Sequence, residues 1–228
     1  MIRELPIFPL PIVLFPGAQQ PLHIFEPRYR RLLQDCLAGD RRFGIACVAP
    51  DATPAADPAP SPGDVGCVAL IRSTQALPDG RSNILTVGER RFVLRRWIAS
   101  GHPYRVAEID EFDDDPTDPA EVMSLAADVR AGFDRLARAL GVLTAREEEE
   151  ISLPSDPQQL SFRVAALLDL DLAAKRALQT VRSTSARLRQ LAVVLGPVAA
   201  DAEDRAVVRE RARGNGQGGR RPEIERAT

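Results

Sequence analysis

Lysine is almost absent from this chain. Lys175 stands alone beside 29 arginines, so a mechanism that needs a lysine base or Schiff base has a single candidate. Histidine is nearly as scarce, with only His23 and His102. The three cysteines, Cys36, Cys47 and Cys67, show no CxxC spacing and each lies in or beside an apolar run. They read as small buried hydrophobes in a reducing compartment, which makes cytoplasm the default location and leaves no expected metal site or cofactor. A net charge of −2 removes any global attraction to nucleic acid or to an anionic membrane. An unbroken apolar segment is also missing. Residues 5–25 carry no Asp, Glu, Lys or Arg, a span of 21 residues, but Pro6, Pro9, Pro11, Pro16 and Pro21 would each remove a helical hydrogen bond. A membrane helix is excluded on that ground, and no A-x-A-like cleavage site follows to make an export signal.

What remains in that stretch is a pair of extended segments, residues 5–10 and 20–25, joined through Phe15-Pro16-Gly17, where proline presets one turn dihedral and glycine permits the positive one. Glu26-Pro27 then opens a helix over 27–38. Its Tyr29, Leu32, Leu33, Cys36 and Leu37 fall on one face, and Gly39 is the expected stop. Residues 43–49 predict a strand. Residues 50–63, with five prolines and little to pack, predict a surface loop. From Asp64 the strands return as GCVALIRS, SNILTV, RRFVLRRWIA and YRVAEIDEF. Asp79-Gly80 marks a hairpin between the first two, and Gly88-Glu89 is expected to turn the chain between the next two. Apolar residues on both faces of 64–74 place that strand centrally. The pattern of short strands with one early helix predicts a small, partly open barrel.

At 110–118 the composition shifts to an acidic, proline-containing stretch that is not expected to bury itself, and the domain boundary is placed there. Downstream the periodicity is helical. Asp118, Pro119 and Glu121 start a helix carrying Val122, Leu125, Val129, Phe133, Leu136 and Leu140 and ending near Gly141. Asp156 and Pro157 start a second helix with Leu160, Val164, Leu167 and Leu168. A third covers about 172–180. Ser183 caps a fourth with Leu188, Leu191, Leu195 and Val198, which Gly196-Pro197 is expected to end or kink. The fold class is therefore α+β: an antiparallel β-barrel domain over 1–116, a helical bundle over 117–212, and a disordered tail over 213–228.

The order of these pieces resembles a known family. LPIFPLPIVLFPG, PLHIFEPRYRRLL, GCVALIR, DGRSNILTVGERRFVL and LSFRVAALLDLDLAAKRALQTVRSTSARLRQL, in this order, resemble the N-terminal substrate-binding domain of Lon proteases, above all its free-standing bacterial forms. The resemblance spans roughly residues 3–195. It implies a PUA-like barrel followed by a compact helical bundle. Full Lon proteases continue into an ATPase with a GxxxxGK[ST] loop and a protease with a Ser-Lys dyad. Neither pattern occurs here, and Lys175 lies in AAKRAL, where it reads as an exposed helix-face residue. The paired cysteines of the eukaryotic branch with a zinc-bound ligand domain are missing as well. The expectation is a non-enzymatic module that binds polypeptide segments, an adaptor or a holding factor for unfolded chains.

Within the resembling HIFEPRY string, His23, Glu26, Arg28 and Tyr29 are the candidate partner-binding residues. The alternative for each is structural: His23 packing on its strand, Glu26 beside the helix N-terminus, Arg28 pairing across to the barrel. Cys36 with His23 is conceivable as a nucleophile pair but has no local signature. Arg30, Arg31, Arg41 and Arg42, with Arg90, Arg91, Arg95 and Arg96, form two basic clusters. These raise RNA binding as the alternative function, but Tyr29, Trp97 and Tyr104 make a thin stacking platform, and a solvated charged face is the expected reading. Glu147, Glu148, Glu149 and Glu150 diverge around a helix and make no metal site.

Overall fold

The computed structural model describes residues 3–48, 59–144 and 151–216. Residues 50–58 of the loop expected over 50–63, the acidic run at 147–150 and the tail beyond 216 lie outside these. The N-terminal half is built from β1 (Arg3–Leu10), β2 (Gln19–Ile24), α1 (Pro27–Ala38), β3 (Arg42–Cys47), β4 (Val65–Ala76), β5 (Ser82–Ile98) and β6 (Arg105–Glu111). The strand order is β2-β5-β4-β3-β1-β6, and a further β5–β6 pairing closes five strands into a ring with β2 outermost. Closure depends on the length of β5. Its first half pairs with β2 through Val87, its second half with β6 from Phe92, and β4 runs along both.

Gly88-Glu89 is therefore not a turn. The chain passes straight through it, and Gly88 serves a different purpose. Its N–H donates to the Ala18 carbonyl (2.9 Å) and its own carbonyl accepts from Gly17 N–H (2.8 Å), stitching the β1–β2 connection onto β5. A Cβ at position 88 would fall well inside van der Waals contact with the Phe15 carbonyl oxygen. Gly17 itself has φ 76°, the positive value expected for the Phe15-Pro16-Gly17 turn. One pairing departs from the antiparallel expectation, because β1 and β3 are parallel. The helix α1 between β2 and β3 supplies the crossover that such a pair requires. Gly39 caps α1, its N–H reaching Asp35 O and Cys36 O, but the residue with positive φ after the helix is Arg41 (φ 64°).

Alternation along the strands separates two apolar regions. Leu5, Ile7, Ala46, Val68, Phe92, Leu94, Ala107 and Ile109 fill the barrel lumen. The opposite faces, carrying Phe8, Phe43, Ile45, Cys67, Ala69 and Ile71, belong to one larger core that continues through Phe15 and Phe162 into the helices. All three cysteines are buried and free.

The helical half comprises α2 (Pro119–Thr144), α3 (Pro157–Leu167), α4 (Leu172–Thr180) and α5 (Thr184–Gly216). The start signals act as read: Asp118, Asp156 and Ser183 side chains accept from Ala120, Gln159 and Ala186 N–H, and Asp171, which was not singled out in the sequence, caps α4 through Ala174 N–H. The stop signals do not end these helices. α2 runs through Gly141, and α5 runs through Gly196-Pro197 to Gly216, so residues 213–216 are helix, not tail. Glu121 pairs with Arg189 and Arg135 with Glu203, so the two long helices lie parallel. Ala199, Ala202 and Ala206 continue the buried stripe of α5 past the proline, while Leu140 and Val198 are exposed. The packing along α2 offsets the roughly 3 kcal/mol that an interior proline costs. Among the described residues no helix is long and apolar enough to cross a membrane.

Candidate functional site

The four residues singled out in HIFEPRY separate. Tyr29 is core: its ring stacks on Phe8 at 3.9 Å between centroids, which withdraws it from any partner surface. His23 is exposed on β2, with Nδ1 2.7 Å from Asn83 Oδ1 and its ring stacked at 6.0 Å on Phe25. Arg28 donates from Nε to Glu26 Oε2 (2.9 Å) and lies over the Tyr29 ring. Phe25, 57% exposed, is an apolar side chain of this surface that sequence reasoning did not single out. Cys36 and His23 do not meet. The Cys36 thiol is buried and donates to Arg42 O, and burial pushes its pKa up to about 12.

Five of the eight clustered arginines are ion-paired at the surface, and Arg41 donates from Nε to Ile71 O. Arg31 pairs with Asp35, Arg42 with Glu89, Arg90 with Glu111, Arg95 with Asp110 and Arg96 with Glu108. Tyr104, one of the candidate stacking rings, is buried and donates its hydroxyl to Asp35. These ion pairs and the burial of Tyr29 and Tyr104 leave Trp97 as the one half-buried ring of the three candidate stacking residues.

Arg91 departs from this pattern, and with it the acidic stretch at 110–118. The Asp114 side chain, 7% exposed, lies between the guanidinium groups of Arg91 and Arg187, which are 2% and 0% exposed. Asp114 Oδ2 accepts from Arg187 Nη2 (2.5 Å) and from the Thr184 hydroxyl (2.5 Å), while Oδ1 accepts from Arg91. One carboxylate cannot balance two cations, and carbonyl oxygens at the C-terminal end of α4 supply the rest. Gln179 O accepts from Arg91, and Val181 O from both arginines. The Phe162 ring lies against both guanidinium groups. Burial raises the pKa of the Asp114 carboxyl, but hydrogen bonds from Arg187 and Thr184 outweigh it and hold the carboxyl below its usual range. Burial lowers Arg91 to about 10, so it is still a cation at neutral pH. This joint ties the barrel (Arg91), the connecting segment (Asp114) and the helices (Arg187) together.

Beside the joint, the β1–β2 connection and the helices enclose a groove of about 290 Å³. One wall is Pro11, Ile12, Val13, Leu14, Ala18, Gln19 and Gln20; the other is Ala166, Leu170, Leu172 and Lys175. The first wall is anchored at both ends. Buried Gln179 donates from Nε2 to Leu14 O (2.8 Å), Phe15 is buried against Phe162, and the Gly17 and Ala18 backbone is bonded to Gly88. Ile12, Val13, Leu170 and Leu172 are thereby held half-buried at an open cleft. Lys175 lines the groove and is half-buried, contrary to its reading as a helix-face lysine exposed to solvent. From Gln19 the exposed face of β2, with Pro21 and His23, leads away from the groove towards Phe25. The groove was not legible in the sequence as a site. Its one signal was that apolar residues 11–14 continue beyond the strand that needs them.

Comparison with known proteins gives a consistent result. A family model described as the ATP-dependent protease La (LON) substrate-binding domain matches residues 4–195. Lon protease 2 of Herpetosiphon aurantiacus is 26% identical over 194 residues, covering 84% of this chain and 23% of that protein. Lon protease 2 of Syntrophobacter fumaroxidans is 29% identical over 193 residues, covering 83% and 24%. The chain thus spans about a quarter of the length of these relatives. Among solved structures, a Lon N-terminal domain protein from Xanthomonas campestris superposes with a TM-score of 0.56 at 26% identity, covering 83% of this chain and 96% of that one. The N-terminal domain of a Mycobacterium avium complex Lon protease superposes with a TM-score of 0.64 at 19% identity, covering 87% and 99%.

Proposed function

The chain belongs to the Lon substrate-binding domain family, and on that premise we propose that it binds polypeptide segments without chemically altering them, as an adaptor or a holding factor for unfolded protein. The observation that carries this reading is the groove between the β1–β2 connection and α3–α4. There, Ile12 and Val13, on a wall hydrogen-bonded to rigid elements on both sides, face Leu170 and Leu172 across the cleft, all four half-exposed. Such a cleft binds apolar side chains by removing them from water, at about 25 cal/mol per Å² buried. The exposed face of β2 and the group formed by His23, Phe25, Glu26 and Arg28 extend it into a longer track. Pro21 on this outermost strand lacks an N–H, so the partner is held through side chains more than by adding a strand to the sheet. Absence of chemistry is supported by the nature of the matched region, the substrate-binding part of Lon, and by burial of the thiols. We place the protein in the cytoplasm on the same grounds as its free thiols.

The test is association with unfolded clients, followed by light scattering and pull-down. Wild-type protein is expected to suppress client aggregation at micromolar concentration with little dependence on salt, and Leu170→Asp, in the groove wall, to lose the effect. Steep loss of binding with rising salt would point instead to phosphate contacts and overturn the reading.

A further inference from the structure

The groove that the proposed function assigns to polypeptide has an electrostatic bias that narrows its occupant. Its lining contains one charged residue, Lys175, and no carboxylate. The neighbouring cation on α4, Arg176, is committed to Asp64 (3.1 Å), whereas the Lys175 ammonium has no ion-pair partner among the described residues. Asp171, one turn earlier on the same helix, uses its carboxylate to cap Ala174 N–H (2.7 Å). The N-terminal turn of α4 contributes Leu172 to the lining, and because the Asp171 carboxylate offsets the positive end of that helix, the Lys175 ammonium is the cationic group the lining presents. A cleft that sets Ile12, Val13, Leu170 and Leu172 beside an unpaired, half-buried cation and the amides of Gln19 and Gln20 complements a ligand whose apolar side chains end in a negative, hydrogen-bonding group.

Size and backbone chemistry point the same way. A volume of about 290 Å³ lies at the small end of ligand sites, which run from roughly 300 to 1,000 Å³. It admits a few side chains rather than a long run of polypeptide. Pro21 interrupts the donors of the adjoining outermost strand, which disfavours an extended segment lying in register along β2. Resting on the reading of this groove as a polypeptide site, we propose that it receives the carboxyl-terminal end of an apolar chain. Ile12, Val13, Leu170 and Leu172 take the last side chains, and Lys175 takes the α-carboxylate, with the side-chain amide of Gln19 within the same lining as a second donor.

The experiment compares three fluorescent apolar peptides of about six residues by anisotropy against wild-type, Lys175→Gln and Leu170→Asp protein, each variant checked for folding by circular dichroism. The first peptide has a free carboxylate, the second a carboxamide, and the third a carboxamide with an internal aspartate. Wild-type protein is expected to prefer the free acid about fivefold, the scale of a partly exposed ion pair. That ratio is expected to shrink at high salt and to fall near one in Lys175→Gln. Equal binding of acid and amide by wild type, with both lost in Leu170→Asp, overturns the carboxylate assignment and leaves the groove reading standing. An internal aspartate that matches the free acid overturns the chain-end assignment. If no peptide binds, the polypeptide reading and this proposal fall together.

Discussion

Replacing Asp114 with asparagine tests the joint between barrel and helices. The substitution keeps the side-chain shape and removes the only carboxylate between two guanidinium groups that are 0% and 2% exposed. Asparagine also directs an amide N–H₂ towards groups that can only donate. Single hydrogen bonds to a charged group are worth about 1.5–3 kcal/mol, but they do not add here, because Arg91 and Arg187 retain Val181 O and Arg91 also retains Gln179 O. The larger effect is the buried positive charge left without its counterion, and breaking such a pair costs about 3–5 kcal/mol. For a chain of this size each kcal/mol lowers the midpoint by roughly 2–4 °C, so thermal unfolding of Asp114→Asn should show a drop on the order of 10 °C. The pH dependence supplies an independent check. The folded carboxyl has a lowered pKa, so its contribution is fully present above the unfolded value of about 3.9 and is lost as pH falls through the folded value. The gap between wild type and variant should therefore be constant near neutrality and narrow below about pH 4. A loss under about 1 kcal/mol at neutral pH, or a gap unchanged in acid, would refute the account. Since the joint lies beside the α3–α4 wall of the groove, the variant should also bind apolar peptides more weakly.

Two glycines should respond in opposite directions. Gly88→Ala drives a Cβ against the Phe15 backbone carbonyl and should destabilise by about 1–3 kcal/mol in urea unfolding, whereas Gly196→Ala, in a helix with nothing near the new methyl, should stabilise by roughly 0.5–1 kcal/mol. The thiols should be inert in the native state, since all three are buried and Cys36 is pushed up to about 12. Titration with a chromogenic disulfide at pH 8 should detect essentially none until urea is added, and prompt native reaction would contradict the burial. Phe25→Ser should leave the melting temperature within a degree or so, because its ring is already in water, yet weaken association with unfolded clients; unchanged binding would remove Phe25 from the track.

Much of the fold was legible because its signals are short-range. The prolines of residues 5–25 rule out a helix by backbone chemistry alone, and a strand results on each side of the Phe15-Pro16-Gly17 turn. Asp156 and Ser183 cap helices through N–H groups three residues away, so the starts were readable. The ends of α2 and α5 were not. Glycine and proline oppose helix locally, but the outcome depends on Ala199, Ala202 and Ala206 finding α2, which no window of sequence contains. Gly88 was misread for the same reason: its role is to let Phe15, more than seventy positions earlier, approach β5.

The sequence by itself determined the order of strands and helices and the family, since both rest on local pattern in a fixed order. Tertiary structure alone decided which charges are buried. Asp113, Asp114 and Asp115 are indistinguishable in sequence, and only the middle one meets Arg91, 23 residues before it, and Arg187, 73 residues after it. The groove was decided in the same way. Its walls come from residues 11–20 and 166–175, and Lys175 becomes part of a site only when the docking of the two halves brings the β1–β2 connection against its helix. Side-chain burial is set by what arrives from elsewhere in the chain, and that information is not local.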